Sequence, residues 1–157
     1  MIKDTMKMSG LVTAHLIKAD GTEITEQANM VVDAGKGWVA NRMVDVDNVM
    51  SHMGLGASST AAAVGQTDLV DEAGDYSSYT RETCPGAANP SAKTVIYTAT
   101  WIAGQATTDG SLLIREAGIF DTDSVGSGTM LARTVFTGDI TKDASDVLTV
   151  TWVITIA

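Results

Sequence analysis

The sequence predicts an all-β domain: an antiparallel two-sheet β-sandwich, jelly-roll-like, with one short α-helix near residues 34–44. Three observations carry this expectation. Apolar and polar residues alternate at period two along several stretches, mostly in the C-terminal half. Runs of Asp, Ser, Thr and Gly separate those stretches as turns do. Helical spacing appears over one short segment only. At 157 residues the chain suits a single domain able to bury roughly two-thirds of its unfolded surface. With 45% hydrophobic and only 18% charged residues it lacks the composition of a disordered chain.

Residues 1–10 mix Ile2, Met6 and Met8 with Lys3 and Lys7 and have no evident core to enter. They read as an extended arm tied down by a neighbouring subunit, with residues 11–157 as the sandwich. Segments 11–19 and 24–32 flank Asp20-Gly21, a dipeptide that favours a hairpin turn. Asp33 is placed to cap a helix through Val44, with Trp38, Val39, Arg42 and Met43 at helical spacing. Gly35 and Gly37 cost such a helix about 1 kcal/mol each, so packing of Trp38 has to hold it. Residues 49–55 form a further strand.

Residues 56–92 are an irregular region, small and polar up to Gly65 and then acidic, with Asp68, Asp71, Glu72, Asp75 and Glu82. A stretch this long without periodicity reads as an exposed loop system. Strands resume at 94–102, 112–120 and 130–136, with 121–128 and 137–145 as connections. The last, 147–156, places Leu148, Val150, Trp152, Ile154 and Ile156 on one face and β-branched residues between them. Glu116 shares parity with Leu112, Ile114 and Phe120, which puts a carboxylate in the core. Such a group needs a partner, and Arg133 or Arg81 can supply one; a structural Glu116–Arg133 ion pair is the expectation.

Ten basic against nineteen acidic residues give a net charge of −9. Up to Thr60 the balance is five to seven, and beyond it five to twelve, so most of the charge lies in the second part. A chain of this sign, without a basic stripe, is repelled by nucleic acid and by anionic membranes. No stretch approaches 18 consecutive apolar residues, and no secretory signal is visible. Cys84 is the only cysteine, which excludes an internal disulfide and a thiolate zinc cage and reads as a free thiol in a reducing cytoplasm.

The search for reactive constellations returns none. His15 sits within a strand-like alternation, and neither it nor His52 has a carboxylate at a motif spacing. Gly54-Leu55-Gly56 lacks the third glycine of a dinucleotide fingerprint. Asp121 to Gly126 opens like a calcium loop, but Val125 and Ala132 stand where oxygen ligands belong. The acidic residues 68–75 read as a solvated loop before they read as a calcium site. The expectation is a protein with no catalytic residue, cofactor or metal.

The order of several segments resembles a known family. It runs Gly54-Leu-Gly-Ala-Ser-Ser-Thr-Ala-Ala-Ala-Val-Gly-Gln-Thr-Asp-Leu69, Tyr97-Thr-Ala-Thr-Trp101, Ile114-Arg-Glu-Ala-Gly-Ile-Phe120, Thr129-Met-Leu-Ala-Arg-Thr-Val-Phe136 and Asp146-Val-Leu-Thr-Val-Thr-Trp-Val-Ile-Thr155. Together they resemble small tailed-bacteriophage virion structural proteins, a tail-fibre-like and capsid decoration family. The resemblance covers 31–157 and departs at 74–92.

It implies an assembly role, with no catalytic residues to transfer. The leading expectation is a capsid decoration (cement) protein that binds the major capsid protein or other virion proteins. It would be a homo-oligomer, a trimer by preference, assembled in the bacterial host cytoplasm. A tail, baseplate or fibre-attachment component is the alternative, although no fibre repeat or heptad is present. A carbohydrate-binding adhesion module is the third reading. With Trp38, Trp101 and Trp152 on expected buried faces, Tyr76 and Tyr79 are its candidate platform. Partner contacts are thus expected at Ile2, Met6, Met8, Tyr76 and Tyr79. Met43, Met50 and Met53 are assigned to the core.

Overall fold

A computed structural model describes residues 6–73, 79–107 and 110–157. Its ten strands form two antiparallel five-stranded sheets, the sandwich expected from the alternation. The strands are β1 (Met8–Lys18), β2 (Gly21–Ala28), β3 (Met30–Val31), β4 (His52–Gly56), β5 (Glu82–Thr83), β6 (Ala87–Asn89), β7 (Thr94–Trp101), β8 (Leu112–Phe120), β9 (Met130–Lys142) and β10 (Val147–Ile156), with helix α1 (Asp33–Arg42) between β3 and β4. The first sheet has the order β2-β1-β10-β7-β6 and the second β3-β9-β8-β4-β5. β10, the strand most legible in the sequence, lies at the centre of the first sheet, paired to β1 and β7.

The core sits between the sheets. Val12, Ala14 and Leu16 from β1 meet Tyr97, Ala99 and Trp101 from β7 and the even-numbered residues of β10 from Leu148 to Ile154. Leu55, Leu112, Ile114, Ala117 and Ile119 face them from the second sheet. Trp101 and Trp152 are fully buried, while Trp38 is half-buried against the same cluster.

The first strand begins at Met8, three residues before the alternation suggests. Met8 pairs with Ile156, and Lys7 exchanges two backbone hydrogen bonds with Ala157 (2.7 and 2.9 Å). Met8 packs on the core, so the end of the supposed arm belongs to the sandwich.

The segment expected as one strand over 24–32 is two. The chain leaves the first sheet after Ala28 and joins the second at Met30, where Met30 and Val31 pair with Arg133 and Ala132 of β9. β9 runs on to Lys142 through residues expected as a connection. A register irregularity absorbs the turn-like Thr137-Gly138-Asp139, since Ile114 pairs with Ile140 but Glu116 with Val135.

Helix α1 starts without the expected cap. Val32 occupies the N-cap position and gives no side-chain bond. Asp33 lies in the first turn, its backbone N–H on the Val64 carbonyl (2.7 Å) and its carboxylate accepting from Lys36 (2.8 Å). Gly35, expected as a cost, is what allows the helix to dock. A Cβ there would overlap the Leu131 carbonyl of β9. Close approach of backbone to backbone requires the missing side chain.

Candidate functional site

The irregular region is neither loose nor wholly exposed. Residues 57–73 and 79–81 lie over the outer face of the second sheet, and two buried arginines attach them. The irregularity in β8 explains how. Before it Leu112 and Ile114 face the core; after it Ala117 and Ile119 do, so Glu116 and Phe120 turn to the opposite side. A bulge changes which residues a strand shows to each face. Glu116 is therefore buried, but beneath the added layer and not between the sheets.

There the expected ion pair forms. The Arg133 Nε and Nη2 lie 2.7 and 2.6 Å from Glu116 Oε2, with both side chains fully buried. Arg133 also donates to Gln66 Oε1 (3.0 Å) and to the Thr60 carbonyl (2.9 Å). Glu116 in turn accepts from the backbone N–H groups of Val70 (3.2 Å) and Asp71 (2.7 Å). One pair thus anchors the layer at four points, which meets the requirement that buried charges be paired and fully hydrogen-bonded. The glycine of β4 opposite Glu116, Gly56, leaves the room: a Cβ on it would meet the Asp71 carbonyl and the Glu116 side chain at 2.5 Å.

Arg81 does not reach Glu116. It forms a second anchor, with Nε and Nη2 donating to the two oxygens of Glu72 (2.7 and 2.8 Å), Nη2 to Asp68 (3.1 Å) and Nη1 to the Ser127 carbonyl (2.8 Å). Its guanidinium lies 3.4 Å over the Phe120 ring, a favourable cation–π placement. Glu72 and Asp68, read from sequence as solvated, are consumed here. Burial raises the Asp68 carboxyl above the ordinary range, against the backbone N–H of Leu69 and the nearby Arg81, which lower it.

Tyr79 is not an exposed platform. It is buried, its hydroxyl accepting from the Leu55 N–H (2.8 Å) and donating to Glu72 (3.0 Å). Burial pushes its phenol well above the usual range. Tyr76 and Ile2, the other expected contacts of the loop and arm, lie outside the described residues, as does Asp75. Cys84, expected in a loop, is fully buried, and burial pushes its thiol up to about 12.

His52 is hydrogen-bonded to its neighbour Ser51 (2.9 Å), and His15 is half-exposed on the outer face of β1. Among the described residues no three His, Cys, Asp or Glu side chains are grouped to hold a metal, and no helix is long and apolar enough to cross a membrane.

Two features around α1 present apolar surface. Met6 and Met8, both expected to make contacts, line a 410 Å³ hollow with Asn29, Met30, Val31, Lys36 and Val39. The second was not anticipated, because Met43 was assigned to the core. Met50 and Met53 are buried as expected, but Met43 is 81% exposed. It opens a turn after α1 in which Val44, Val46 and Val49 also face solvent, at 70, 69 and 58%.

Polar residues hold that turn in shape. Arg42 donates to the Asp47 carbonyl (2.6 Å) and pairs with Asp45 (3.0 Å), Asn41 donates to the Asp47 carboxylate (2.8 Å), and Trp38 donates to the Asn48 carbonyl (2.7 Å). Asp45 takes the left-handed conformation (φ 58°), which Asp tolerates better than most residues. The sequence signal was present in Met43-Val-Asp-Val-Asp-Asn-Val49, where polar residues able to bond the helix end alternate with apolar ones.

Comparison with known proteins adds nothing to this: no family model, no curated protein and no solved structure matches the chain.

Proposed function

We propose that the chain is a non-enzymatic structural protein of a tailed-bacteriophage virion. Within the virion we assign it to the capsid, as a decoration (cement) protein that binds and stabilises the shell of the major capsid protein as a homo-oligomer. The observation that carries the reading is the turn 43–49. Four large apolar side chains are held out to solvent by three hydrogen bonds and one ion pair that fix the backbone beneath them. Exposed apolar groups on an ordered scaffold mark a contact surface, since a preformed shape loses little entropy on docking.

The rest of the molecule supports the same reading. Three carboxylates beneath and within the covering layer are tied up structurally, in Glu116–Arg133 and in Asp68 and Glu72 with Arg81. The sandwich supplies the stiffness that a lattice component needs, and the segment order of the sequence resembles small virion proteins.

Quantitative mass spectrometry of purified particles tests it. A cement protein is present in hundreds of copies, comparable with the major capsid protein. A handful of copies, or a few dozen, would reject the capsid assignment in favour of a tail component. Met43→Asp with Val46→Asp should remove the protein from particles while leaving its melting temperature unchanged, because both side chains already face water.

A further inference from the structure

We infer that the outer face of the first sheet is a self-association surface, where a second copy of this chain packs sheet against sheet about a two-fold axis. The face is defined by cross-strand register. Leu11, Val153 and Ile96 form one row across the three central strands, Thr13, Thr151 and Thr98 the next, and His15, Thr149 and Thr100 the third. On the edge strand β2 the corresponding positions are Ala28, Glu26 and Ile24. Leu11, Ile24 and Ile96 are 49, 65 and 38% exposed.

The chemistry of this face departs from that of the chain. The protein carries nineteen acidic and ten basic residues. Yet the outward positions of these five strands hold a single carboxylate, Glu26, at one edge, and neither a lysine nor an arginine. Lys18 and Glu23, which pair with each other, alternate to the opposite side of the same strands. The centre is threonine and aliphatic side chain, with the imidazole of His15 in the third row. Thr100 and Thr149 are hydrogen-bonded to each other (3.0 Å), so even their hydroxyls are partly satisfied within the sheet.

That absence of charge identifies the occupant. A copy of a −9 chain meets like charge on most of its surface, and repulsion is felt within about 8 Å at physiological salt. Two copies meeting through this face bring no carboxylates together at its centre. A single patch that contacts itself is satisfied by a two-fold axis, the commonest symmetry of soluble oligomers.

The area suffices. The five strands hold 11, 8, 10, 8 and 3 residues, and at roughly 3.3 Å by 4.8 Å per residue these 40 positions present roughly 630 Å² per copy. Two copies bury roughly 1,300 Å², inside the range of specific interfaces. Aligned sheets pack at about 10 Å, and the short threonine side chains allow that spacing.

The inference deepens the assembly reading by naming the surface between copies, but it does not rest on it: a dimer can form in solution whether or not any particle takes it up. The test is the mass of the intact purified chain by light scattering or sedimentation equilibrium across a dilution series. The wild type should give twice the 16.4 kDa of one chain. Thr151→Glu, at the centre of the face, should weaken association roughly 100-fold or more by placing unpaired carboxylates in the interface. Val125→Glu adds the same charge in the exposed β8–β9 turn and should leave the dimer intact. A wild type that stays monomeric at all concentrations would overturn the inference. So would a trimer, or a dimer that Thr151→Glu leaves undisturbed while circular dichroism shows the variant folded.

Discussion

Over the second sheet the chain folds back on itself: residues 57–73 and 79–81 cover the outer face, and two arginines with Glu116, Glu72 and Asp68 hold them there. Over the first sheet no described segment returns. Its outer face is left as threonine and aliphatic side chain with one imidazole, His15, and one peripheral carboxylate. The difference shows two ways of finishing a sheet. Where the chain supplies its own cover, the polar backbone of an irregular segment is brought out of water and needs buried charged partners. Where a partner is to supply the cover, buried charge is a liability, and the face is kept neutral.

The comparison breaks most readily at Arg133. Arg133→Met leaves Glu116 fully buried with two backbone donors and no cation. Removing one member of a buried pair costs about 3–5 kcal/mol. Denaturant unfolding should show that loss, and limited proteolysis should show new cutting within 57–73 under native conditions. A loss below about 1 kcal/mol would mean that apolar contacts such as Leu69 on Phe120, and not charge, hold the cover in place.

Much of this arrangement was legible in the sequence, and the part that was not has a common cause. Strands β7, β8 and β10 were readable because one face of each meets a continuous apolar core, and period two follows from that. The Glu116–Arg133 pair was readable because a carboxylate in an apolar alternation needs a partner. The face on which the pair lies was not, because the bulge after Ile114 depends on tertiary pairing and reverses the parity.

For the same reason the cover read as an open loop. Its segments are ordered by side chains far away in sequence, such as Arg133 binding Thr60 and Gln66, and they carry no period of their own. The misassignment of Asp33 as a cap and of Gly35 as a cost shares this origin, since the Asp33 N–H answers to Val64 of the covering segment and Gly35 to Leu131 of β9. Tyr79 was misplaced because nothing local indicates that its hydroxyl lies between Leu55 and Glu72.

Alkaline titration gives a smaller effect, and it sharpens the contrast between buried and exposed groups. The Cys84 thiol is raised from 9.0 to about 12, and Tyr97 from 10.0 to about 12, by burial above all. In each case the folded pKa lies above the unfolded value, so the folded state keeps its proton where the unfolded chain has lost it. Stability is therefore unaffected below pH 9 and falls as pH rises from there towards 12. Cys84 contributes a fall of at most about 1.4 kcal/mol per pH unit between pH 9 and 10, opposed by Lys142, whose amine burial lowers below its ordinary range, and the tyrosines add to the fall above 10. Cys84→Ala should flatten the pH 9–10 segment measured by urea unfolding; an unchanged slope would show that the thiol is reached by water in the native state.

The smallest effect belongs to the ion pair that resembles Glu116–Arg133 on paper. Arg115 donates through Nε and Nη2 to the two oxygens of Asp139 (2.8 and 2.9 Å), a bidentate geometry, whereas Arg133 meets Glu116 at one oxygen. Both side chains face solvent beside the β8 bulge, one residue before the buried pair begins. Water already solvates each charge, and salt screens what attraction remains. Arg115→Ala should therefore leave the unfolding midpoint unchanged at physiological salt, whereas Arg133→Met, eighteen positions along, removes a large part of the stability. Equal losses for the two would mean that hydrogen-bond geometry, and not exclusion of water by the covering segment, decides what a charge pair contributes in this fold.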